Sequence, residues 1–315
     1  MRPGTRLRHW LTGRRRPRRW AIVTAAPAGA EAAQWGDTWF AQDLAAALRR
    51  LGEQVRVVGR RGASAPARDE DDVVLVLRGL RRVHPRRSGN RWLLWVISHP
   101  DLVQAQEPAE FDAVFAASAH WPGPGQAQAV PLLQATNPDR FHPGVGAPES
   151  GEQILFVGST RGGPRPIVAD LLSVGLRPAI YGLGWDGLVD PSLLRGDFLA
   201  NEQLPAAYAS AGLVLNDHWP DMAAQGFLSN RLFDAVATGT RVISDEAVGL
   251  AEVFGDLVRT YREPEELLEL VRDPSCFPTR AQRVEGAMDL IREHSFDRRA
   301  QALVRCLDEL PESSP

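Results

Sequence analysis

Short runs of apolar residues alternate with helical patterns along most of the chain. Five runs before residue 120 are almost continuously hydrophobic, at residues 21–25, 54–59, 72–79, 91–98 and 111–118. Continuous hydrophobicity is typical of strands that are buried on both faces of a parallel sheet. A helical pattern over residues 38–51 separates the first two runs and ends at Gly52, where a glycine commonly follows a helix. The first part of the chain is therefore predicted to be a parallel α/β domain.

The same pattern begins again after a stretch rich in proline and glycine at residues 141–151. Strand-like runs follow at residues 152–160, 177–185, 213–218 and 241–246, with helical patterns between and after them. The composition of the stretch is typical of a linker. We therefore predict an α/β fold with two doubly wound domains, at residues 20–146 and 147–315. Ligands of such sheets bind beyond the carboxyl ends of the strands, so a cleft between the domains is the expected site.

Charge is distributed unevenly along the chain. All 36 basic residues are arginine, and eight of them lie in residues 1–19, before the first acidic residue, Glu31. The net charge of −3 therefore combines a leader of +8 with a remainder of −11. The leader is predicted to be disordered. Weak contact with an anionic membrane surface through residues 1–19 is the alternative that the sequence leaves open.

The sequence predicts a cytoplasmic protein. No segment approaches the roughly 18 consecutive apolar residues of a membrane-spanning helix. The apolar run at residues 20–24 is too short for the core of an export signal. Two cysteines, Cys276 and Cys306, are too few for a disulfide framework or a four-cysteine zinc site, and they suit a reducing compartment.

The first candidate for chemistry is the loop that follows the strand-like run beginning the second domain. It contains Gly158, Ser159, Thr160, Arg161 and Arg165. Open backbone N–H groups and arginine side chains together suit a diphosphate, because both match phosphate oxygens. The loop has neither the Gly-Lys-Ser/Thr of a Walker loop nor a GxGxxG pattern. A plain turn with solvated arginines is the alternative.

The second candidate lies in residues 216–245. A predicted strand ends at Asn216, and a helix is expected to begin with Ser229 as its N-cap, so that the free amides of the helix face the cleft. Arg231 and Asp234 are about one turn apart and share a face of this helix. Arg231 would hold phosphate while Asp234 accepts two hydroxyl groups, as from a ribose. An Arg231–Asp234 surface ion pair is the alternative.

Residues 229–256, SNRLFDAVATGTRVISDEAVGLAEVFGD, resemble the C-terminal donor domain of nucleotide-sugar glycosyltransferases with the GT-B fold. They look most like the group-1-type branch that also contains spore-maturation-protein-like glycosyltransferases. Segments at residues 36–52, 93–101, 111–118 and 132–143 are similar to the acceptor domain of that branch. The resemblance implies two Rossmann-like domains that face each other across a cleft, with the acceptor side in the N-terminal one. It also implies a metal-independent transferase with no cofactor, for which the nucleotide-diphosphate sugar is a co-substrate.

The resemblance also assigns roles in the donor domain. Asp234 stands where a Glu-x7-Glu pattern of the family ends on a carboxylate that binds ribose. Gly226 stands where the first glutamate, a sugar contact, is expected, and Asn216, His218 or Asp221 would substitute for it. Arg161 or Arg165 would face the diphosphate. The remaining donor contacts implied are Ser229 and Asn230 at the helix start, Tyr181 and Gly182 beside the base, and more weakly Phe198 and Leu199.

The acceptor side has two candidate catalytic residues. The resemblance places His99, which follows a predicted strand, next to the sugar, and Asp37, in the first strand-to-helix loop, as a general base. Asp37 as a helix N-cap and His99 as a turn residue are the alternatives. We also predict that Arg81 and Arg82, within a basic stretch at residues 78–91, border the acceptor cleft and bind an anionic acceptor. A solvated loop is the alternative for that stretch.

The sequence therefore predicts a glycosyltransferase that moves a sugar from a nucleotide-diphosphate sugar to a hydroxyl acceptor such as a glycan, a natural product or a protein. No metal-binding motif is found, and no nucleic-acid partner is expected. Two alternatives remain open. One is a nucleotide-sugar epimerase with the same fold, and the other is a non-catalytic partner that binds nucleotide or glycan.

Overall fold

The computed structural model describes residues 16–60, 70–86, 89–125 and 128–311. The predicted leader therefore lies outside the described residues except for residues 16–19. Arg87, one of the basic residues of the 78–91 stretch, also lies outside them.

The first sheet has six parallel strands. They are β1 (Arg19–Pro27), β2 (Gln54–Arg60), β3 (Val73–Arg78), β4 (Arg91–Val96), β5 (Ala113–Ala116) and β6 (Val130–Pro131), arranged in the order β2-β1-β3-β4-β5-β6. Every residue of β3 is buried, as its continuous hydrophobicity predicts. Helix α1 (Gly36–Arg50) covers one face with a buried side that includes Phe40 and Leu44.

The second sheet is also parallel and has six strands. They are β7 (Ile154–Val157), β8 (Ala179–Tyr181), β9 (Leu194–Gly196), β10 (Leu213–Asn216), β11 (Val242–Ser244) and β12 (Val258–Thr260), in the order β12-β11-β10-β7-β8-β9. The helices of this half are α2 (Pro166–Ser173), α3 (Leu204–Ser210), α4 (Pro220–Ala224), α5 (Asn230–Ala237), α6 (Leu250–Phe254), α7 (Pro264–Arg272), α8 (Arg280–Glu293) and α9 (Phe296–Glu309). The predicted pair of doubly wound α/β units is confirmed.

Strand order reverses beside one strand in each sheet. The chain leaves β1 for β2 on one side and later returns to β3 on the other, and it does the same around β7 with β8 and β10. Crevices open at such points of an α/β sheet because the connections diverge to opposite sides. The carboxyl ends of β1 and β7 are therefore the expected binding positions.

Helix α9 packs on the first sheet although it follows the second one in sequence. Phe296, Ala300, Leu303 and Leu307 are buried in the same core as Trp20 and Leu44 of the first domain. The ring of Phe40 in α1 packs edge-on against the rings of Trp95 and Phe296, with centroid distances of 5.3 and 4.8 Å. The division at residue 147 therefore does not hold for α9, because its apolar face completes the core of the N-terminal domain.

A second crossing joins the two halves near α4. Met222 and Phe227 are buried in the core that lies on the other face of the first sheet. Phe227 packs edge-on against Trp121 with 5.5 Å between ring centroids. The hydroxyl of Ser118 donates a hydrogen bond of 2.7 Å to the backbone carbonyl of Gln225. The cleft is thus bounded by contacts between the domains on two sides.

Candidate active site

A cleft with a volume of about 490 Å³ separates the carboxyl edges of the two sheets. Its N-terminal wall consists of the start of α1 and the end of β4, and its C-terminal wall consists of the loops after β7, β8, β9 and β10 together with the start of α5. Twelve of the residues predicted for the site line it: Asp37, His99, Gly158, Ser159, Arg161, Tyr181, Gly182, His218, Ser229, Asn230, Arg231 and Asp234. Thr160, Arg165, Asn216, Arg81 and Arg82 do not.

Gly158 allows two arginines to approach the end of β7. A Cβ atom at this position would lie 3.2 Å from both Arg165 Nη1 and Arg231 Nη2. The backbone N–H of Gly158 is used by the carbonyl of Tyr181, at 2.7 Å. Gly158 therefore contributes to the site mainly through the space that it leaves for the guanidinium groups.

The three arginines near Gly158 have different surroundings. Arg165 is buried and forms an ion pair with the equally buried Asp217, and its Nη1 donates to the carbonyl of Ser159 at 3.0 Å. Arg161 lines the cleft, with its guanidinium 4.3 Å from the centroid of the Trp219 ring. Of the two candidates for facing a diphosphate, Arg161 is partly exposed and lines the cleft. Arg165 is buried and binds the loop at Ser159.

Burial and the positive charges of Arg165 and Arg231 lower the pKa of Arg161 to about 10, against a smaller opposing effect of Asp217. Arg161 is bound mostly by carbonyls, since its Nη1 donates to the oxygen of His218 at 2.6 Å. A bound anion would relieve the repulsion among these cations. The electrostatics of this wall therefore favour a phosphate group.

Arg231 extends from the first turn of α5 toward β7. Its Nη1 donates to Asn216 Oδ1 at 2.8 Å, and its Nη2 donates to the carbonyl of Val157 at 2.7 Å. Within the described part of the chain, no carboxylate forms an ion pair with Arg231. The alternative of a surface ion pair with Asp234 is therefore wrong, because the two side chains turn to different neighbours. The buried Asn216 positions Arg231 and does not reach the cleft.

Asp234 lies at the floor of the cleft between two hydrogen-bond donors. Thr136 Oγ1 donates to one carboxyl oxygen at 2.8 Å, and Asn230 Nδ2 donates to the other at 2.9 Å. Burial raises the pKa of Asp234 to about 8, with a further contribution from the charge of Asp43. The carboxyl group is thus held by both domains and still faces the cleft.

His218 binds the backbone of Ser229, the residue directly before helix α5. Ser229 occupies the N-cap position, but its side chain makes no capping bond. Instead, His218 Nε2 accepts the backbone N–H of Ser229 at 3.0 Å, and its Nδ1 lies 2.6 Å from Asp245. Since Nε2 accepts, Nδ1 carries the proton that is donated to Asp245. Both ring nitrogens are therefore occupied, which leaves neither for the donor sugar.

The loops after β7 and β8 touch at Gly182. A Cβ atom there would lie 2.2 Å from the carbonyl oxygen of Gly158. Thr160 Oγ1 packs against the carbonyls of residues 183 and 184, at 3.4 and 3.3 Å, and holds the loops together without reaching the cleft. Phe198 is 55% exposed and, with Leu199, lines the cleft near Tyr181.

Asp37 belongs to the first turn of α1 and is not its N-cap, which is Trp35. Its carboxylate lies near Gly79 and Ser98, at the ends of β3 and β4, 3.8 Å from the position of a Cβ at Gly79. Burial raises the pKa of Asp37. No hydrogen-bond donor among the described residues binds this carboxylate. An unpaired, cleft-facing carboxylate with a raised pKa has the properties of a general base.

His99 has a left-handed backbone, with φ 52° and ψ 58°, which is uncommon for a residue with a side chain. Its Nδ1 lies 3.7 Å from Asp221 Oδ2, and its ring centroid lies 5.2 Å from that of Trp219. Burial lowers the pKa of His99, and the nearby Asp221 opposes that effect. His99 is thus a cleft residue, and the strained turn before Pro100 directs it toward the C-terminal domain.

The prediction that Arg81 and Arg82 border the cleft is wrong. Arg82 forms an ion pair with Glu110 and also binds Gln104, while Arg81 is exposed outside the cleft. Arg78 is buried and pairs with Glu107 at 2.7 Å. The stretch contains no acidic residue, but the segment at 107–110 supplies the acids across space. The stretch therefore does not need an external anion.

Gly226 explains why the first glutamate of the family pattern is missing. Its φ is +71°, and a Cβ would lie 3.0 Å from Ser118 Oγ and 3.1 Å from the carbonyl of Val248. A glutamate there would strain the backbone and crowd Ser118 and Val248, which favours glycine. Of the three proposed substitutes, Asn216 and His218 are committed elsewhere, and Asp221 faces His99.

Sequence reasoning missed several residues that shape the cleft. Arg140 donates to Asp43 Oδ2 at 2.9 Å and to the carbonyl of Asn201 at 2.9 Å, and so connects α1 to the loop before α3. Trp39 and Asp43 both line the cleft, and their spacing of four residues in α1 is a signal that places them on one face. Asp217, which neutralises Arg165, carries no comparable signal, because its partner is 52 residues away.

Among the described residues, no group of three or more histidine, cysteine, aspartate or glutamate side chains is arranged to hold a metal ion. In the same part of the chain, no helix combines the length and the hydrophobicity needed to cross a membrane.

Comparison with known proteins identifies the architecture. Residues 164–305 match the family model described as glycosyl transferase-like. AviGT4, a glycosyltransferase involved in avilamycin A biosynthesis, has a similar structure, with a TM-score of 0.63 and 17% identity over 93% of this chain and 98% of that chain. The chain has the GT-B fold.

Other GT-B structures agree. The sucrose-phosphate synthase of Thermosynechococcus elongatus is similar with a TM-score of 0.65 and 14% identity, over 93% of this chain and 99% of that chain. The T4 phage BGT in complex with its UDP-glucose substrate is similar with a TM-score of 0.56 and 10% identity, over 92% of this chain and 99% of that chain. No match is found among curated protein sequences. The predicted GT-B fold is confirmed, and the match over residues 164–305 agrees with the predicted glycosyltransferase family. The spore-maturation-like branch stays a prediction.

Proposed function

We propose that the protein transfers a sugar from a nucleotide-diphosphate sugar to a hydroxyl group of an acceptor bound against the N-terminal wall. The observation that carries this proposal is the pair of cleft-lining arginines, Arg161 and Arg231, at the strand-order reversal beside β7. Among the described residues, Arg231 forms no ion pair, and the carboxylate that Arg161 meets, that of Asp217 at 4.0 Å, is shared with Arg165. The pair matches the charge of a diphosphate and suits the place where ligands of doubly wound sheets bind.

The donor is proposed to lie along the loops of the second sheet. Asp234 would bind the hydroxyls of the ribose, and the exposed ring of Phe198 together with Tyr181 would border the base. The diphosphate would lie against Arg161, Arg231 and the start of α5. These cations would stabilise the charge that develops on the leaving diphosphate, and we propose that the reaction uses them in place of a metal ion or other cofactor.

Asp37 is proposed as the base that removes the proton of the acceptor hydroxyl. It is the cleft-lining carboxylate of the N-terminal wall that has no bound donor among the described residues, and burial raises its pKa toward the working range of a base. His99 lies next to Trp219 and Asp221 and would contact the transferred sugar from the N-terminal wall. In this step the hydroxyl oxygen forms a bond to the anomeric carbon of the sugar, and the bond from that carbon to the diphosphate breaks. The diphosphate leaves with the bonding electron pair, and Asp37 accepts the proton of the hydroxyl group.

A two-stage experiment tests the proposal. A panel of UDP-, GDP- and dTDP-hexoses is first screened by thermal shift, and the best ligand is then used in assays of nucleoside diphosphate release with and without acceptors. Acceptor-dependent release supports a transferase. Interconversion of the donor sugar without release would indicate an epimerase, and binding without either reaction would indicate a non-catalytic partner.

A further inference from the structure

The N-terminal wall of the cleft carries an exposed aromatic side chain that the donor does not explain. Trp35 is 38% exposed and lines the cleft at the residue before α1. Its backbone is fixed on both sides, because its N–H donates to the carbonyl of Ala32 at 3.1 Å and its carbonyl accepts the N–H of Thr38 at 3.0 Å. A rigid and exposed tryptophan at a cleft mouth is a surface on which a ring can stack.

The residue between Trp35 and the proposed base leaves open space. Gly36 separates Trp35 from Asp37, and no heavy atom lies within 4 Å of the position that a Cβ would take at this glycine. Farther in, Gln134 Oε1 is buried and accepts no hydrogen bond from the described residues, and Gln134 lines the cleft. The cleft that Trp35 lines therefore also offers a base and an unused hydrogen-bond acceptor, both suited to hydroxyl groups.

The charge of this wall opposes anions. Its carboxylates are Asp37 and Asp43, and the arginine that reaches it, Arg140, is already bound by Asp43 and by the carbonyl of Asn201. Burial lowers the pKa of His99, which keeps its imidazole neutral at pH 7. On this wall a phosphate or carboxylate beside Asp37 would meet a negative charge, whereas Arg161 and Arg231 lie on the C-terminal wall, where the diphosphate is proposed to bind.

We propose that the acceptor is a carbohydrate without anionic groups, whose ring stacks on Trp35 and presents a hydroxyl to Asp37. This inference rests on the proposed function and names the acceptor class of the same cleft. It replaces the anionic acceptor that the basic stretch at residues 78–91 had suggested.

The test compares acceptors at a fixed saturating donor. The panel contains methyl glycosides of neutral hexoses and amino sugars, the corresponding uronic acids and hexose 6-phosphates, and a short DNA duplex. We expect release of nucleoside diphosphate with the neutral or amino sugars, and an acceptor KM that changes less than about twofold between low and high salt, since screening acts on charged ligands. Preference for the uronic acids, the phosphates or DNA would overturn the inference.

Variants at Trp35 provide the second arm. Trp35→Ala should raise the acceptor KM about tenfold, while Trp35→Phe, which keeps a ring, should stay within about threefold. Leu80→Ala, which shortens an exposed apolar side chain away from the cleft, is the matched control and should match the parent. An unchanged KM in Trp35→Ala would overturn the inference.

The donor readout separates the two proposals. If a nucleotide sugar binds tightly in calorimetry but every acceptor of the panel is refused, the acceptor inference fails and donor binding stands. If no nucleotide sugar binds, the proposed function itself fails.

Discussion

Asp234 connects the two domains to the donor site through one carboxyl group. Its oxygens accept hydrogen bonds from Thr136 and Asn230, and it lines the cleft. We expect Asp234→Ala to weaken binding of the nucleotide by about 1.5–3 kcal/mol, the usual effect of losing a hydrogen-bond partner of this type. Calorimetry with the nucleoside diphosphate measures it, with far-UV circular dichroism to check folding. Asp289→Ala, also in a helix but paired only with the surface Arg292, is the control.

The raised pKa of Asp234 also predicts a dependence of stability on pH. The folded protein keeps the proton up to a pKa of about 8, whereas an unfolded chain releases it near a pKa of about 4. Between those values the native state binds more protons, so this residue lowers the free energy of unfolding as the pH rises. Asp234→Asn should therefore gain thermal stability relative to the parent from pH 4.5 to pH 8. A constant difference in Tm across that range would contradict the assignment.

The proposed role of Asp37 predicts that its loss slows the chemical step but leaves donor binding unchanged. Asp37→Asn should lower kcat by about 10²–10⁴-fold, the usual contribution of a general base, and leave the affinity for the donor unchanged. Single-turnover assays measure the chemical step, and calorimetry measures the donor. A loss of donor affinity of similar size would instead place Asp37 in the donor site.

At the scale of elements, the loops after β7 and β8 depend on a close contact at Gly182. Gly182→Ala should lower the free energy of unfolding by more than about 1–3 kcal/mol, because the new Cβ would meet the carbonyl of Gly158. Gly175→Ala is the matched control, since Gly175 also has a positive φ but no heavy atom within 4 Å of its Cβ position. Denaturation in urea measures both. Equal losses would show that backbone strain alone accounts for the effect.

Most elements could be predicted from the sequence, and the exceptions have physical reasons. The hydrophobic runs predicted the buried strands, and helix α5 begins at Asn230, directly after the predicted N-cap Ser229. The edge strands β6, β9 and β12 were missed, because two or three residues carry no periodic signal. The loop after β7, where glycine and arginine cluster, lies at the cleft as expected, and Gly158, Ser159 and Arg161 line it. The contacts of Arg82 could not be predicted from the sequence. Its partners, Gln104 and Glu110, lie more than twenty residues away in a segment that only the fold brings near.

At the scale of the whole molecule, α9 is the element on which the N-terminal core depends. Removal of residues 294–311 should expose the buried faces of α1 and of the first sheet and unfold that domain, since each large apolar side chain contributes about 1.5–3 kcal/mol when buried. Limited proteolysis and near-UV circular dichroism measure the change in the N-terminal half. Removal of residues 312–315 alone is the control and should leave both unchanged.

The return of α9 to the first sheet also sets an order of events during synthesis. Residues of the N-terminal sheet leave the ribosome first, but the face that α9 covers stays open until residue 309 has been made. The first domain therefore cannot complete its core while the second domain is translated, and its apolar surface stays accessible to chaperones during that time. The same feature affects recombination between two relatives. An exchange at residue 147 would transfer the second sheet together with α9, which belongs to the core of the first domain. Such hybrids should keep their solubility only when the junctions lie on both sides of the second sheet, so that α9 stays with the first.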